Sequence, residues 1–504
     1  MGNEKKQTPS VKWIAGGLAV LAVVLLGVLF FVKNGSGSEQ QYLWYKGQPS
    51  QVNKEPDRRN EFVIGGNDIP ADPRICQQSG NTAQQISRLV YEPLIRVNRA
   101  QEVQPVLAEK VTFSEDGLSA EVTLKNQTFS DGTPVTAEDV VESYRLLNEP
   151  MSQNPLKQVM TAIEGMEAFQ YGESETFGVQ VLEDGKVQFQ FETASVDNLE
   201  ALTAPIVKKT EGELFALGSG GYQIDSMQGM EEVRLVRNPE GQTDLPYERI
   251  RFVNATRQRI EQSAKDCSID ALQINVGAMA DLLKEAGCYD IYAYPSGTRA
   301  YLSFSADASQ TVRQAVNAMF DSEAFWKEME PVLGTVGAYA PSDGFVSPYY
   351  GGNTVFGSGQ SPKKLAKALE QERGEAVLNF WMDGSALSRS RFQILAEQFE
   401  QYGVRLEPVY AENAEEGAAY DFTFSAGDTR APEQLLRDSM TDEAAQASAE
   451  RTAKQLNQDY RKIYEELEQQ AGETMPVIPA GAQTAYWAVL ADARNSDLLS
   501  ILMG

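Results

Sequence analysis

The most reactive side chains occur in patterns that suggest nucleophilic or phosphate chemistry, and each pattern also has a structural reading. Ser361-Pro-Lys-Lys364 spells S-x-x-K, the nucleophile motif of penicillin-interacting enzymes, but no S-D-N or K-T-G accompanies it. Ser361 before Pro362 is equally what a helix N-cap and first helical residue look like, and that is the reading adopted. Gly218-Ser-Gly-Gly-Tyr222 has the glycines of a phosphate loop but not the Gly-Lys-Ser/Thr ending, so no lysine neutralises phosphate. A strand-like segment at 222–226 follows it, which favours a glycine-permitted turn. Carboxylates pair at Glu231-Glu232, Glu328/Glu330 and Glu415-Glu416, always in polar context, as on solvated faces. Cys267 and Cys288 each border a strand-like segment. A disulfide between them and a pair of buried thiols are both open, and a disulfide would leave Cys76 unpaired.

What is missing narrows the chemistry further. The sequence has no histidine, which excludes Ser-His-Asp and Cys-His catalysis, His-ligated zinc and a histidine pH switch. Three cysteines are too few for a disulfide scaffold. No catalytic residue, cofactor or metal set is identified, so the chain is expected to bind something and not to transform it. A surface hydrolase would have to work without these groups.

The chain that must position these residues is long. Its 504 residues predict two to four domains at ~100–200 residues each. Lys+Arg number 44 against 71 Asp+Glu, so 44 − 71 = −27, which argues against nucleic acid as a partner. The 42% hydrophobic and 23% charged content is that of a globular protein. Residues 13–32, WIAGGLAVLAVVLLGVLFFV, form the one long apolar run. At ~1.5 Å rise per residue it matches the ~30 Å of a bilayer core. Lys5, Lys6 and Lys12 precede it, which assigns 1–12 to the cytoplasm, 13–32 to a transmembrane anchor and the bulk of the chain to the outside. A cleaved signal peptide is the rival reading, but the run is longer than the usual ~7–15 residues and lacks an Ala-x-Ala end. Gly/Ser-rich residues 33–41 would be a flexible linker.

Local signals outline the elements. Asp116-Gly117 and Asp184-Gly185 sit between alternating β-formers, predicting hairpins over 111–124 and 179–191. Thr136 with Asp139 predicts a capping box opening a helix to about Leu147. Residues 375–381, 387–402 and 404–410 read as strand, helix and strand, with Gly403 ending the helix, which favours a parallel sheet with covering helices. A long helix is expected over 447–471, followed by the apolar run 475–479.

Several of these segments together resemble the peptide-class solute-binding proteins of ABC importers, the oligopeptide/dipeptide/nickel-binding family. Leu107-Ala-Glu-Lys-Val through Tyr144, with Asp116-Gly117, Phe129-Ser-Asp-Gly-Thr-Pro134 and Ala137-Glu-Asp-Val140, is similar to the family's "LAE-x-W…DG…F-x-DG-x-P-x-x-A-x-DV-x-x-S" signature. Asp72-Pro73 with Tyr91-Glu-Pro-Leu94, Gly218–Tyr222 through Arg237-Asn-Pro239, Cys267-Ser-Ile-Asp270, Val312-Arg-Gln-Ala315 with Phe320-Asp321, and Pro476-Val-Ile-Pro479 are similar to later family segments in the same order. The resemblance implies an α/β, two-lobed periplasmic-binding-protein-like fold with an extra small domain. Lobe I would comprise 42–91, 205–298 and 473–504, the accessory domain 92–204, and lobe III 299–472.

The resemblance also implies a function: capture of a short peptide or similar small solute in the cleft by hinge closure, for an ABC permease and ATPase. In the family a carboxylate that pairs with the peptide amine lies in a "GW-x-x-D" segment. Phe424-Ser-Ala-Gly-Asp428 matches it, with Ser425 at the tryptophan position and the carboxylate kept at Asp428. Gln78, Ser79 and Gly80 in the first-lobe loop, Arg299 and Tyr301 on the lobe-crossing strand, and Trp381 complete the expected ligand-binding set. Nickel-binding relatives use an organic chelate and often a histidine, which this chain lacks. A non-transport sensing or assembly role on the same fold is the alternative.

Overall fold

The computed structural model describes residues 43–49, 60–97, 103–211, 214–241, 245–274, 277–333, 339–340, 360–410, 419–428, 442–458 and 460–491. The expected anchor at 13–32 lies outside the described residues. Among the described residues no helix is long and apolar enough to cross a membrane.

Two long antiparallel strands, Tyr289–Phe304 and Val477–Leu490, organise the chain. Small residues at Ala480, Ala482, Ala485 and Ala488 let the second strand be buried along its length. Pairing runs from Tyr289 opposite Leu490 to Pro295 opposite Thr484, then jumps to Arg299 opposite Ala482. Residues 296–298 thus bulge against residue 483, and a second register shift follows between Ala300 and Tyr301. Bulges of this kind bend a strand pair and sharpen its twist.

Sheet neighbours change across that bend. On one side Ala271–Ile274 pairs with 486–489, and Glu61–Gly66, Arg249–Asn254, Glu232–Arg237 and Tyr222–Gln228 follow outward. Buried Asp270 ties this half together by accepting the Val63 N–H at 2.7 Å. Val63, Ile269, Leu272, Leu283, Tyr289 and Ile291 share one buried cluster there. On the other side Phe422–Asp428 pairs antiparallel with 299–304, and parallel Val377–Met382 and Arg405–Tyr410 complete the sheet. Helix Ala386–Glu400 connects the last two as a crossover, with Gly403 at φ 81° behind it. The two halves are the two lobes of a mixed α/β periplasmic-binding-protein fold.

A separate four-stranded antiparallel sheet is built from Ala108–Phe113, Ser119–Leu124, Val187–Gln190 and Val179–Val181. Gly117 and Gly185 take the positive φ, 70° and 78°, that the two tight turns need. Helix Ala137–Asn148 packs on it, and the Thr136/Asp139 capping box is present on both sides. The helix expected over 447–471 is instead two, Asp442–Gln455 and Tyr460–Thr474. Asn457 lies between them, accepting the Phe113 N–H and donating to the Phe113 carbonyl, each at 2.8 Å. An amide side chain that pairs with distant backbone offers the chain an alternative to continuing the helix.

Candidate ligand-binding site

The strand crossing brings part of the expected set together. Arg299 stands opposite Asp428 in backbone register, and Tyr301 opposite Ser425. The Arg299 guanidinium donates to the Tyr301 hydroxyl at 3.3 Å, while the Tyr301 ring itself is buried. Ser303 donates to the Ser425 hydroxyl at 3.2 Å. Asp428 is the last residue of its strand, and its side chain lies outside the described residues. Trp381 is one strand further out, opposite Thr423, whose hydroxyl donates to the Trp381 carbonyl at 3.0 Å. Its ring lies 5.5 Å from that of Tyr420.

The first-lobe loop stands apart from this group. It follows the carboxyl end of Glu61–Gly66 and leads into helix Asn81–Val90. The Gln78 amide donates to the Asp72 carbonyl at 2.5 Å, and Gln84 donates to the Gln78 carbonyl at 2.6 Å. A Cβ on Gly80 would come within 2.7 Å of Asp68, whose carboxylate accepts from the Thr82 N–H and hydroxyl. The loop is therefore stiff, and Ser79 is its exposed point. No hydrogen bond or ring contact among the described residues joins it to Arg299 or Trp381.

Sequence reasoning passed over a second cluster, beside the carboxyl ends of parallel strands Val377–Met382 and Phe422–Asp428. In open α/β sheets such ends form the ligand crevice. Asp383 is held to about 2 by hydrogen bonds from the Ser388 hydroxyl and the Ser385 N–H and hydroxyl, with the Arg391 charge adding to the effect. Arg391 places its guanidinium carbon 4.5 Å from the centre of the Phe424 ring. Desolvation by burial lowers its pKa. Tyr339 stacks on Trp326 with ring centres 4.1 Å apart, and burial pushes its phenol upward. The available signal was a cation one helical turn before buried Ile394 and Leu395.

The remaining motifs find structural settings. Ser361 stands at the N-cap position of helix Pro362–Arg373, without a side-chain capping hydrogen bond, and Pro362 opens the helix; both Ser361 and Lys364 are exposed. Gly218 lies where a Cβ would sit 1.9 Å from the Val90 carbonyl oxygen, so its glycine serves close backbone approach. Cys267, in a left-handed conformation that ends helix Arg257–Asp266, places its sulfur 3.3 Å from that of Cys288, and both are buried. Cys76 is buried elsewhere, and burial pushes its thiol up to about 12. Among the described residues no group of three or more Cys, Asp or Glu could hold a metal ion.

Two lobes joined by bent crossing strands, with polar and aromatic side chains gathered beside the crossing, have the architecture of a solute-binding protein. The chain belongs to the bacterial extracellular solute-binding proteins, family 5, whose middle-region model matches residues 102–435. That family places the bulk of the chain outside the cytoplasm, and its members are binding proteins, not enzymes. No curated protein matches the chain by sequence. Its fold is similar to that of MppA, a periplasmic murein tripeptide binding protein in its unliganded open form, with TM-score 0.68 and 19% identity, covering 87% of this chain and 94% of that one. It is also similar to a putative peptide binding protein, AppA from Clostridium difficile, with TM-score 0.61 and 19% identity, covering 88% and 98%. NikA from Brucella suis, in complex with Fe(III)-EDTA, is similar with TM-score 0.59 and 15% identity, covering 86% and 96%.

Proposed function

We propose that this chain captures short peptides outside the cytoplasm and hands them to an ABC permease and its ATPase subunits, tethered to the cell membrane through residues 13–32. The observation that carries this reading is the change of sheet neighbours at 295–299 and 482–484, where the two long strands pass from one lobe to the other. Bending there brings the carboxyl ends of the lobe III strands toward lobe I, a hinge closure around a guest. In this reading lobe I is 42–91, 205–298 and 473–504, the accessory domain 92–204 and lobe III 299–472.

A peptide held as an extended strand offers its own N–H and C=O groups, which cleft backbone can meet without reading side chains. Asp428 would pair with the ligand amine. Arg299, backed by Tyr301, and the exposed edge of the Gln78–Gly80 loop would line the two sides, and Trp381 would supply apolar contact. Two similar folds carry peptide-binding names, which supports a peptide over a metal chelate.

Ser425 at the family's tryptophan position favours a second reading, a sensing or assembly role in which the same cleft reports a ligand without importing it. Melting curves against di- to hexapeptide mixtures test binding, since a ligand of the folded state raises the midpoint by mass action. A rise is expected, and no response to any peptide would overturn the proposal. Peptide uptake that persists after deletion of the protein would favour sensing over transport.

A further inference from the structure

The accessory sheet meets lobe III along one edge. Strand Ala108–Phe113 is an outer strand of the four-stranded sheet. On its open side the Asn457 side-chain amide accepts the Phe113 N–H and donates to the Phe113 carbonyl, each at 2.8 Å. One amide thereby stands in for a residue of a neighbouring antiparallel strand, which would exchange the same two bonds. Beside it the hairpin tip leaves no slack. A Cβ on Gly117 would come within 2.9 Å of the Ala194 Cβ and 3.1 Å of the Ala453 Cβ, and the Gly117 carbonyl accepts from the Asn198 amide at 3.0 Å. Ala453 is buried on helix Asp442–Gln455.

Each side of this contact is tied to a different wall of the proposed cleft. On the accessory side, the Asn154 amide donates to the Cys76 carbonyl at 2.6 Å, the Gln153 N–H to the Gln77 carbonyl at 2.8 Å and the Gln77 amide to the Leu146 carbonyl at 2.6 Å, which joins the domain to the first-lobe loop. On the other side, helix Tyr460–Thr474 is joined to helix Gln310–Met319. Gln310 donates to the Glu473 carbonyl at 3.1 Å, and Arg313 to the Met475 carbonyl at 2.9 Å. The contact therefore runs from one lobe to the other without passing through the crossing strands. Bodies that turn about a hinge keep such bonds over a narrow range of angles, because a hydrogen bond weakens steeply once its length and alignment are lost. Asn457 is exposed, so water competes for both bonds and the contact is reversible. We propose that Phe113 and Asn457 form a latch that biases the lobes toward closure: opening at the crossing strands draws the first-lobe loop away from lobe III and must part the two residues. This rests on the hinge reading above and adds the device that sets its resting angle.

Asn457→Ala removes both bonds, and small-angle scattering with calorimetric titration reads the result. Losing two exposed hydrogen bonds should change the ratio of closed to open protein roughly tenfold. The ligand-free radius of gyration should be larger in the variant than in the wild type, and the wild-type value should lie between that of the variant and that of the wild type with di- to hexapeptide mixtures. Apparent affinity falls with the closed fraction, so the variant should bind the mixtures up to about tenfold more weakly while retaining the far-ultraviolet spectrum of the wild type. Asn457→Asp keeps an acceptor for the Phe113 N–H and loses the donor. It should shift both readings in the same direction, and it provides the answer if the alanine variant fails to fold. Equal radii with equal affinities would overturn the latch, and so would a smaller radius or tighter binding in the variant. Weaker binding at an unchanged ligand-free radius would also overturn it, by placing Asn457 in the site and not at the hinge. In each of these cases the peptide reading stands. No response of the wild type to any peptide would overturn the peptide reading alone, and the two ligand-free radii would still decide the latch.

Discussion

The ion pair between Arg373 and Asp421 supports the lobe III sheet at the end opposite the site, and its loss can be worked out in numbers. Asp421 precedes strand Phe422–Asp428, with its side chain 8% exposed against 28% for Arg373. Its carboxylate accepts both terminal nitrogens of Arg373, one at 2.8 Å, and the Asn379 N–H at 2.7 Å. Asp421→Ala would strand a guanidinium and a backbone donor together. Breaking a buried pair from one side costs ~3–5 kcal/mol, and the partial access of Arg373 to water sets the expectation at the low end, about 3 kcal/mol. For a lobe-sized cooperative unit that is a fall of roughly 6–12 °C in midpoint. Asp421→Asn keeps an acceptor and should cost about half as much. Scanning calorimetry of the single variants, and of Asp421→Ala combined with Arg373→Leu, gives the coupling directly, expected near 2 kcal/mol. A coupling indistinguishable from zero would mean that water already satisfies the pair, and the reasoning would fail.

Gly218→Ala should destabilise by about 3 kcal/mol or more, because its Cβ would overlap the Val90 carbonyl. Gly229→Ala, with positive φ but open space around it, should cost only about 1 kcal/mol; equal losses in urea denaturation would contradict the close-approach account. Asp383 has its pKa lowered from 3.8 to about 2. Its contribution is therefore present above the unfolded value and is lost as pH falls through the folded one. Asp383→Asn should melt below the wild type at neutral pH, and the gap should close between pH 3.8 and about 2; a gap independent of pH would refute this. Cys267 and Cys288 are expected to be joined when the protein matures in an oxidising compartment, giving up two protons and two electrons to a disulfide-bearing oxidoreductase. Intact mass without reductant should be lighter by two hydrogens than with it, and identical masses would refute the bond.

Local chemistry was the legible part of this fold. The Thr136/Asp139 capping box, the Asp-Gly turns, Pro362 at the first turn of its helix and Gly403 after its helix each act within a few residues, and each is where the sequence put it. The strand-helix-strand unit from Val377 to Tyr410 was also readable, because its period changes from two to 3.6 and back. Asn457 illustrates what was not: its helix break depends on Phe113, 344 positions away. The site divides in the same way. Asp428 could be named from a motif and Arg299 from the strand that the resemblance puts at the crossing, whereas Arg391 stands out only once Phe424 and Tyr339, distant in the chain, are seen beside it.

Small-angle scattering with and without the di- to hexapeptide mixture tests the hinge most directly. The radius of gyration should shrink when peptide is present at concentrations that raise the melting midpoint. An unchanged radius alongside a raised midpoint would contradict closure of the two lobes on their guest.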